Sequence, residues 1–187
     1  SWGLTGSQTA DAGSLAVTST GGDLGTTGAW TQTSGTLVLT AASGGTTQGT
    51  ACEVTFELTN TATTQTSPAV SVEAAISDGS ATVVANVAQV AMDKPGTALF
   101  GVSNGANPLE VLVPALSAKG IGQSTPGSGE TNTITVTLTA NYDLSDGSTV
   151  TISGLTGTQT TSDAVLAVTS SNGELGTTGA WTQTSGT

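Results

Sequence analysis

The sequence predicts an all-β fold: short antiparallel strands packed as two sheets, in a unit repeated in tandem. Three observations predict it. Apolar and polar residues alternate with a period of two over many short segments. Tight-turn signals punctuate those segments, with SDGS at 77–80 and again at 145–148, and Asn-Gly at 104–105 and 172–173. Finally, residues 154–187 restate residues 3–36 at a constant offset of 151, without a gap and with most positions identical. Self-similarity at a fixed period is the signature of a repeat architecture. Strands with one polar and one apolar face bury the apolar one by packing sheet on sheet.

The elements follow in chain order. Residues 36–41 (TLVLTA) read as a strand. In 51–58 (ACEVTFEL), Cys52, Val54, Phe56 and Leu58 face inward, and Glu53, Thr55 and Glu57 face outward. In 68–76 (PAVSVEAAI), Val70, Val72, Ala74 and Ile76 oppose Ser71, Glu73 and Ala75. The apolar spacing of 81–92 (ATVVANVAQVAM) fits a short helix nearly as well as a strand, so both readings stay open. Strands are also expected at 109–113 and 166–169. In 131–141 (TNTITVTLTAN), Thr133, Thr135, Thr137 and Thr139 share one face, with Ile134, Val136 and Leu138 on the other. In 148–155 (STVTISGL), Val150 and Ile152 oppose Thr149, Thr151 and Ser153.

The repeat divides the chain into three parts. Residues 1–36 are the end portion of a unit and duplicate 152–187. Residues 37–151 are the remainder of one 151-residue repeat, and 152–187 begin the next copy. The expectation is a window of a long tandem array of beads, since one period is a normal domain size. A 36-residue piece cannot bury a core alone, so it needs strands from a neighbour. Ser1 and Trp2 depart from the corresponding Ile152 and Ser153.

Charge excludes several partners. There are 13 acidic residues, only Lys94 and Lys119 as cations, and a net charge of −11. Nucleic acid binding needs clustered Lys and Arg, and anionic membranes are disfavoured for the same reason. No apolar run reaches membrane-spanning length. Edges of natural sheets are guarded by Lys, Pro or inward charge. Two Lys and five Pro are few guards for so many strands. Edges occupied by the next unit explain the shortage, and a head-to-tail contact of that kind generates a filament.

Chemistry is mostly missing. Without His there is no Ser-His-Asp or Cys-His arrangement and no imidazole zinc site. No phosphate-binding Gly loop occurs. Glu53 and Glu57 are a formal glycosidase pair, but they fall on a solvent-facing strand side among Thr. Cys52 is single, on the apolar side of its strand, and reads as a buried thiol. No enzyme activity and no cofactor are expected.

Other features suggest binding or modification. Asp143, Ser145 and Asp146 in DLSDGS resemble half of a calcium loop, which lacks the closing carboxylate because Gly154 stands there; Asp78 and Asp93 are isolated. Lys94 or Lys119 could form an internal isopeptide bond; an ordinary exposed Lys is the simpler reading. Trp30 and Trp181, in the repeated GAWTQTSGT, are core residues or sugar-stacking platforms. An adhesin-type module binding carbohydrate through Trp30 or the 104–108 loop is therefore the alternative function. With 39 Thr and 21 Ser the polar faces invite O-glycosylation, with Thr133, Thr135, Thr137, Thr149 and Thr151 as candidates. None of the seven Asn residues heads an N-glycosylation sequon. Ice binding through Thr rows needs flat ranks, and sandwich sheets twist.

TITVTLTANYDLSDGSTVTISGLTG, followed by LAVTS, GTLVLTAASGG, TFELTN and SPAVSVEA, resembles the tandem repeats of very large surface proteins of unicellular algae and related microbial eukaryotes. The resemblance covers most of the period, and 77–120 matches less clearly. It implies secreted, immunoglobulin-like β-sandwich units in extracellular glycosylated fibrils or coats. Its motifs are strands and turns, so it implies no site residues. The expected function is a structural subunit of such a filament, with other copies of the repeat as partners and glycans attached.

Overall fold

A computed structural model describes residues 2–80 and 82–187. Ser1, and with it the start of the first repeat portion, and Ala81, at the start of the 81–92 segment, lie outside the described residues. The chain divides into two compact units, Ser1–Asp143 and Leu144–Thr187. The break falls where the strand-rich stretch leads into the second copy of the repeated segment.

The described residues are nearly all β, and every strand pair is antiparallel. In the first unit, β1 (Ala12–Ser19), β2 (Thr27–Thr31), β3 (Thr36–Leu39) and β4 (Val54–Phe56) form one four-stranded sheet, ordered β3-β2-β1-β4. Alternation decides its faces. Leu15, Val17 and Ser19 turn inward on β1, Gly28 and Trp30 on β2, and Leu37 and Leu39 on β3. The register aligns them, with Trp30 opposite Leu37, Gly28 between Leu15 and Leu39, and Val17 opposite Phe56. Gly28 is there because a side chain would meet Leu37 and Leu39 at under 3 Å. Val17 and Trp30 are the buried apolar residues among those described.

The other strands of this unit form two ribbons. β5 (Ser71–Ser77) pairs with β6 (Val83–Ala91), and β7 (Leu116–Gln123) pairs with β8 (Ile134–Ala140). The ambiguous segment 81–92 is thus a strand, from Val83 onward. Its apolar residues fall on both faces, which erased the period-two signal. The SDGS turn decided its pairing. There the Asp78 carboxylate accepts from the Ser80 amide at 2.8 Å and the Ser80 hydroxyl at 2.7 Å. Those bonds, first the hydroxyl and then the amide, hold the Asp78 carboxyl below its ordinary value of 3.8. A lowered folded pKa favours the charged form, so the turn's contribution is full above the unfolded value and is lost as pH falls through the folded one. Acidification below 3.8 is therefore expected to speed amide exchange at Ser80 before it affects β1–β3; unchanged exchange would count against this role.

In the second unit, β9 (Asp163–Ala167) pairs with β10 (Thr178–Trp181) in a two-stranded sheet. Its register repeats that of β1 and β2: Leu166 opposite Gly179 and Asp163 opposite Trp181, as Leu15 opposes Gly28 and Ala12 opposes Trp30. A one-turn 3₁₀ segment follows each first strand, at Thr20–Gly22 and at Ser171–Gly173. Each contains a left-handed residue, Gly21 (φ 63°) and Asn172 (φ 55°), which is why Asn can replace Gly there.

Three expected strands fall short. Residues 149–155 pair with no strand among the described residues, and Ile152, expected to face inward, is exposed for want of a partner sheet. Segment 109–113 contributes one bridge, Val111 to Gln65. The strand expected at 51–58 is only Val54–Phe56; Cys52, expected as a buried thiol, is only half-buried, as is Leu58, because the ladder does not reach either of them. Alternation makes a strand possible; a hydrogen-bonding neighbour makes it one.

Gly35 closes the first module. It is buried with φ 64°, and its carbonyl accepts from the Leu4 amide at 2.8 Å. An added Cβ would run into the Leu4 backbone. Gly35→Ala is expected to cost roughly 1–3 kcal/mol, read as a lower urea midpoint for the first unit.

Candidate functional site

The repeated segment builds the same small module twice. The hydrogen bonds that hold the first copy together recur in the second. The Trp30 indole N–H donates to the Thr9 carbonyl at 2.9 Å, as Trp181 does to Thr160 at 3.1 Å. The Gln32 side chain donates to the Ser7 carbonyl and Gln183 to Thr158, both at 2.9 Å. Ser19 Oγ donates to the Gly25 carbonyl and accepts from the Leu24 amide, and Ser170 repeats both bonds with Gly176 and Leu175. The Val17 and Val168 amides donate to Thr26 and Thr177. The Leu4 and Leu155 amides donate to Gly35 and Gly186. The Gln32 amide donates to the Asp11 carboxylate, and that of Gln183 to the Ser162 hydroxyl, so a different side chain serves the same donor.

In the first copy the module holds a strand on the outer edge of β1. Thr18 pairs with Thr55, flanked by Val17 with Phe56 and Ser19 with Val54. Three hydroxyl residues fix the ends of the strand. Thr20 donates its amide to the Glu53 carbonyl at 2.9 Å, and its hydroxyl accepts from the Glu53 amide at 3.0 Å. The Thr9 hydroxyl accepts from the Thr59 amide at 2.8 Å. The Ser7 hydroxyl donates to the Thr59 carbonyl at 3.1 Å, beside the Gln8 amide at 2.7 Å. Downstream, the Gln65 amide group donates to Thr5 and Leu109, and the Gly3 amide donates to Ala69. A groove of 960 Å³ lies along β1 and this strand, lined by Leu15, Val17, Phe56 and Leu58 among others.

In the second copy no strand lies on that edge among the described residues; β9 pairs with β10 only. Val168 is 41% exposed where Val17 is 6% exposed. Sequence reasoning missed the hydroxyls of Ser7, Thr9 and Thr20 as edge fixers. The available signal was that the second copy also carries hydroxyls there, at Thr158, Thr160 and Ser171.

The residues singled out from the sequence are placed as follows. Trp30 is 2% exposed, so its ring offers no face to a sugar, a correction to the stacking reading. The reason is its position opposite Leu37 on the inward face of the sheet. Trp181 is half-buried with its N–H engaged within its own unit. Asn104, in the other proposed sugar loop, takes φ 59° in a turn where its carbonyl accepts from the Asn107 amide. Asp143 and Asp146 fall in different units, and among the described residues no three or more acidic or Cys side chains group to hold a metal. Asp143 donates its amide to the Phe100 carbonyl, next to the stacked rings of Phe100 and Tyr142 at 5.4 Å.

Glu53 and Glu57 are both exposed, and Glu57 alone lies at the groove. Lys94 donates to the Ser67 carbonyl at 3.1 Å, while Lys119 is exposed on β7. Thr133, Thr135, Thr137, Thr149 and Thr151 are exposed. Thr135 and Thr137 stand across from Gly122 and Gly120, each with open space where a side chain would be. Among the described residues no helix is long and apolar enough to cross a membrane. Comparison with family models, curated proteins and solved structures finds no match to the chain.

Proposed function

We propose that the chain is a structural subunit of an extracellular filament or cell-surface coat, built head-to-tail by strand pairing between repeats. The supporting observation is the uncovered apolar surface of the two ribbons. Every residue of β6 and β7 is exposed. They include Val84 at 61%, Val87 at 47% and Ile121 at 60%. An isolated two-stranded ribbon is marginal in water, and monomers rarely expose contiguous apolar patches of this kind. Copies of the same chain are the cover the sequence pattern favours: Lys119 is the one Lys or Arg within the strands, and no Pro lies in them. In this reading ribbons of neighbouring copies complete immunoglobulin-like sandwiches, and the groove beside β1 and β4 fills with apolar side chains. No catalysis is involved.

The Thr faces are the solvent side of the assembly and carry O-glycans. The Thr135–Thr137 face of β8 leaves room for them, because glycines oppose both residues. Intact mass of native material well above the 18.0 kDa of the chain supports this part; the bare mass contradicts it. Sedimentation velocity tests assembly itself. Large polymers that grow with concentration are expected, and a single species of 18.0 kDa throughout would overturn the filament reading.

A further inference from the structure

We infer that the pocket beside the Phe100–Tyr142 ring pair, in the first unit, binds one ring of a neutral hexopyranose. This goes beyond the filament reading and does not depend on it. The loop that builds the pocket runs from the end of β6 at Ala91 to the start of β7 at Leu116 without a strand of its own. Loops of that length are uncommon in compact domains and tend to be functional.

The backbone at Phe100 is bent against its own preference. Leu99 and Val102 exchange amide–carbonyl bonds at 3.1 and 3.0 Å, so Phe100 and Gly101 are the central residues of a tight turn. Both have positive φ, 51° and 74°, a geometry that favours Asn-Gly. A Phe there is a backbone outlier, and such outliers cluster at ligand sites. Core packing does not explain it, since Phe100 is 47% exposed. What the turn achieves is the placement of a ring. The Phe100 ring lies against that of Tyr142, with centroids 5.4 Å apart and 17° between the planes. The Asp143 amide donates to the Phe100 carbonyl at 2.9 Å, and the Asn141 side chain ties the same segment to Val113 and Ala115. A Cβ at Gly101 would run into the Asp143 carboxylate. The ring pair is therefore fixed before a ligand arrives, which lowers the ordering cost of binding.

The pocket measures 220 Å³, below the roughly 300–1,000 Å³ of sites for drug-sized ligands, and suits a single sugar ring. Phe100 and Val102 give it an apolar side, and Asn60, Glu110 and Tyr142 bring an amide, a carboxylate and a phenol. A pyranose matches that division. Its C–H face lies on an aromatic ring, and its hydroxyls bond to the amide and carboxylate. Glu110 is oriented for this by the Ser67 amide, which donates to its Oε2 at 2.7 Å. Neither Lys lines the pocket, so an acidic, sulfated or phosphorylated sugar meets Glu110 without a counter-charge. Of the 104–108 loop only Gly105 takes part.

The test titrates the full, unglycosylated chain with methyl glucoside, methyl galactoside and methyl mannoside and with their neutral trisaccharides, followed by amide chemical shifts. Saturable shifts at Phe100, Gly105 and Glu110 are expected with at least one of them. The uronic acid form of that sugar should bind at least tenfold more weakly. Phe100→Asn gives the turn a residue its backbone favours and removes the ring. It should weaken binding at least tenfold without lowering the urea midpoint. Asn60→Ala changes an exposed side chain and should weaken binding severalfold; it decides the matter if Phe100→Asn lowers the midpoint. No saturable binding of any neutral sugar, equal binding of the acidic form, undiminished binding by a stable Phe100→Asn chain, or undiminished binding by Asn60→Ala would overturn the inference. Sugars released from native material and neutral polysaccharide fragments of other origin, compared at equal concentration, separate the chain's own glycans from a foreign surface. Binding of either upholds the site, and the tighter names its source. Sedimentation keeps the two claims apart. Polymers without sugar binding refute this site and leave the filament reading standing. Sugar binding by a chain that stays monomeric upholds the site and refutes the filament.

Discussion

Trp30→Ala is expected to destabilise the first unit by about 3–5 kcal/mol, the range for truncating a buried large aromatic. Trp30 is 2% exposed, opposes Leu37, and spends its indole N–H on the Thr9 carbonyl. Truncation opens a cavity behind the sheet and leaves that carbonyl without its donor. A marginally stable domain has little more than this to lose. The control lies in the same chain. Trp181 makes the same bond in the same motif but is only half-buried, so Trp181→Ala should cost much less. Urea unfolding of the two variants measures the difference. Equal costs would mean that the first module's burial of Trp30 is not what holds it together.

Val87→Glu combined with Ile121→Glu is expected to abolish polymer formation while leaving each ribbon folded. Val87 faces Ala74 across β5–β6, and Ile121 faces Val136 across β7–β8. Both are largely exposed in the single chain, so a carboxylate there meets water and costs the monomer little. Buried against another copy, the same carboxylate loses hydration without a cation to pair with, and the chain carries only two Lys. It also adds repulsion to a net charge of −11. Sedimentation should show monomer alone, with unchanged far-ultraviolet circular dichroism. Polymers that survive both changes would place the contacts away from the ribbons.

The β-class was legible in the sequence because period-two alternation is a local property. β4 and β8 take the faces expected, and the SDGS turn at 77–80 joins β5 to β6. β1, β2, β7 and β10 carry too little uninterrupted alternation to draw a strand expectation, and Val72 and Ile76 of β5, expected inward, are exposed because no second sheet covers that ribbon among the described residues. Pairing is not local. Residues 149–155 alternate as well as β8 does, yet lack a strand partner among the described residues. β4 shrinks to three residues because its ladder ends where Thr20 and Thr9 take over its ends with side chains. β6 hid behind apolar residues on both faces, which is itself a consequence of a ribbon with no core side. The duplicated segment was visible at once. What it does was not, since Ser7, Thr9 and Thr20 are three hydroxyl residues among 60, and only the strand they hold distinguishes them. Trp30 invited a sugar-binding reading for a related reason: a sequence motif does not say which face of a strand its aromatic takes.

The repeated segment therefore marks a module that in the first copy holds a strand on its outer edge, and the filament reading rests on the uncovered ribbons that follow it. Cryo-electron microscopy of native or reassembled material tests this most directly. The account predicts a filament that advances by one 151-residue repeat per step, with the β5–β6 and β7–β8 ribbons buried between copies. Discrete single particles, or a filament in which both ribbons stay exposed to solvent, would contradict it.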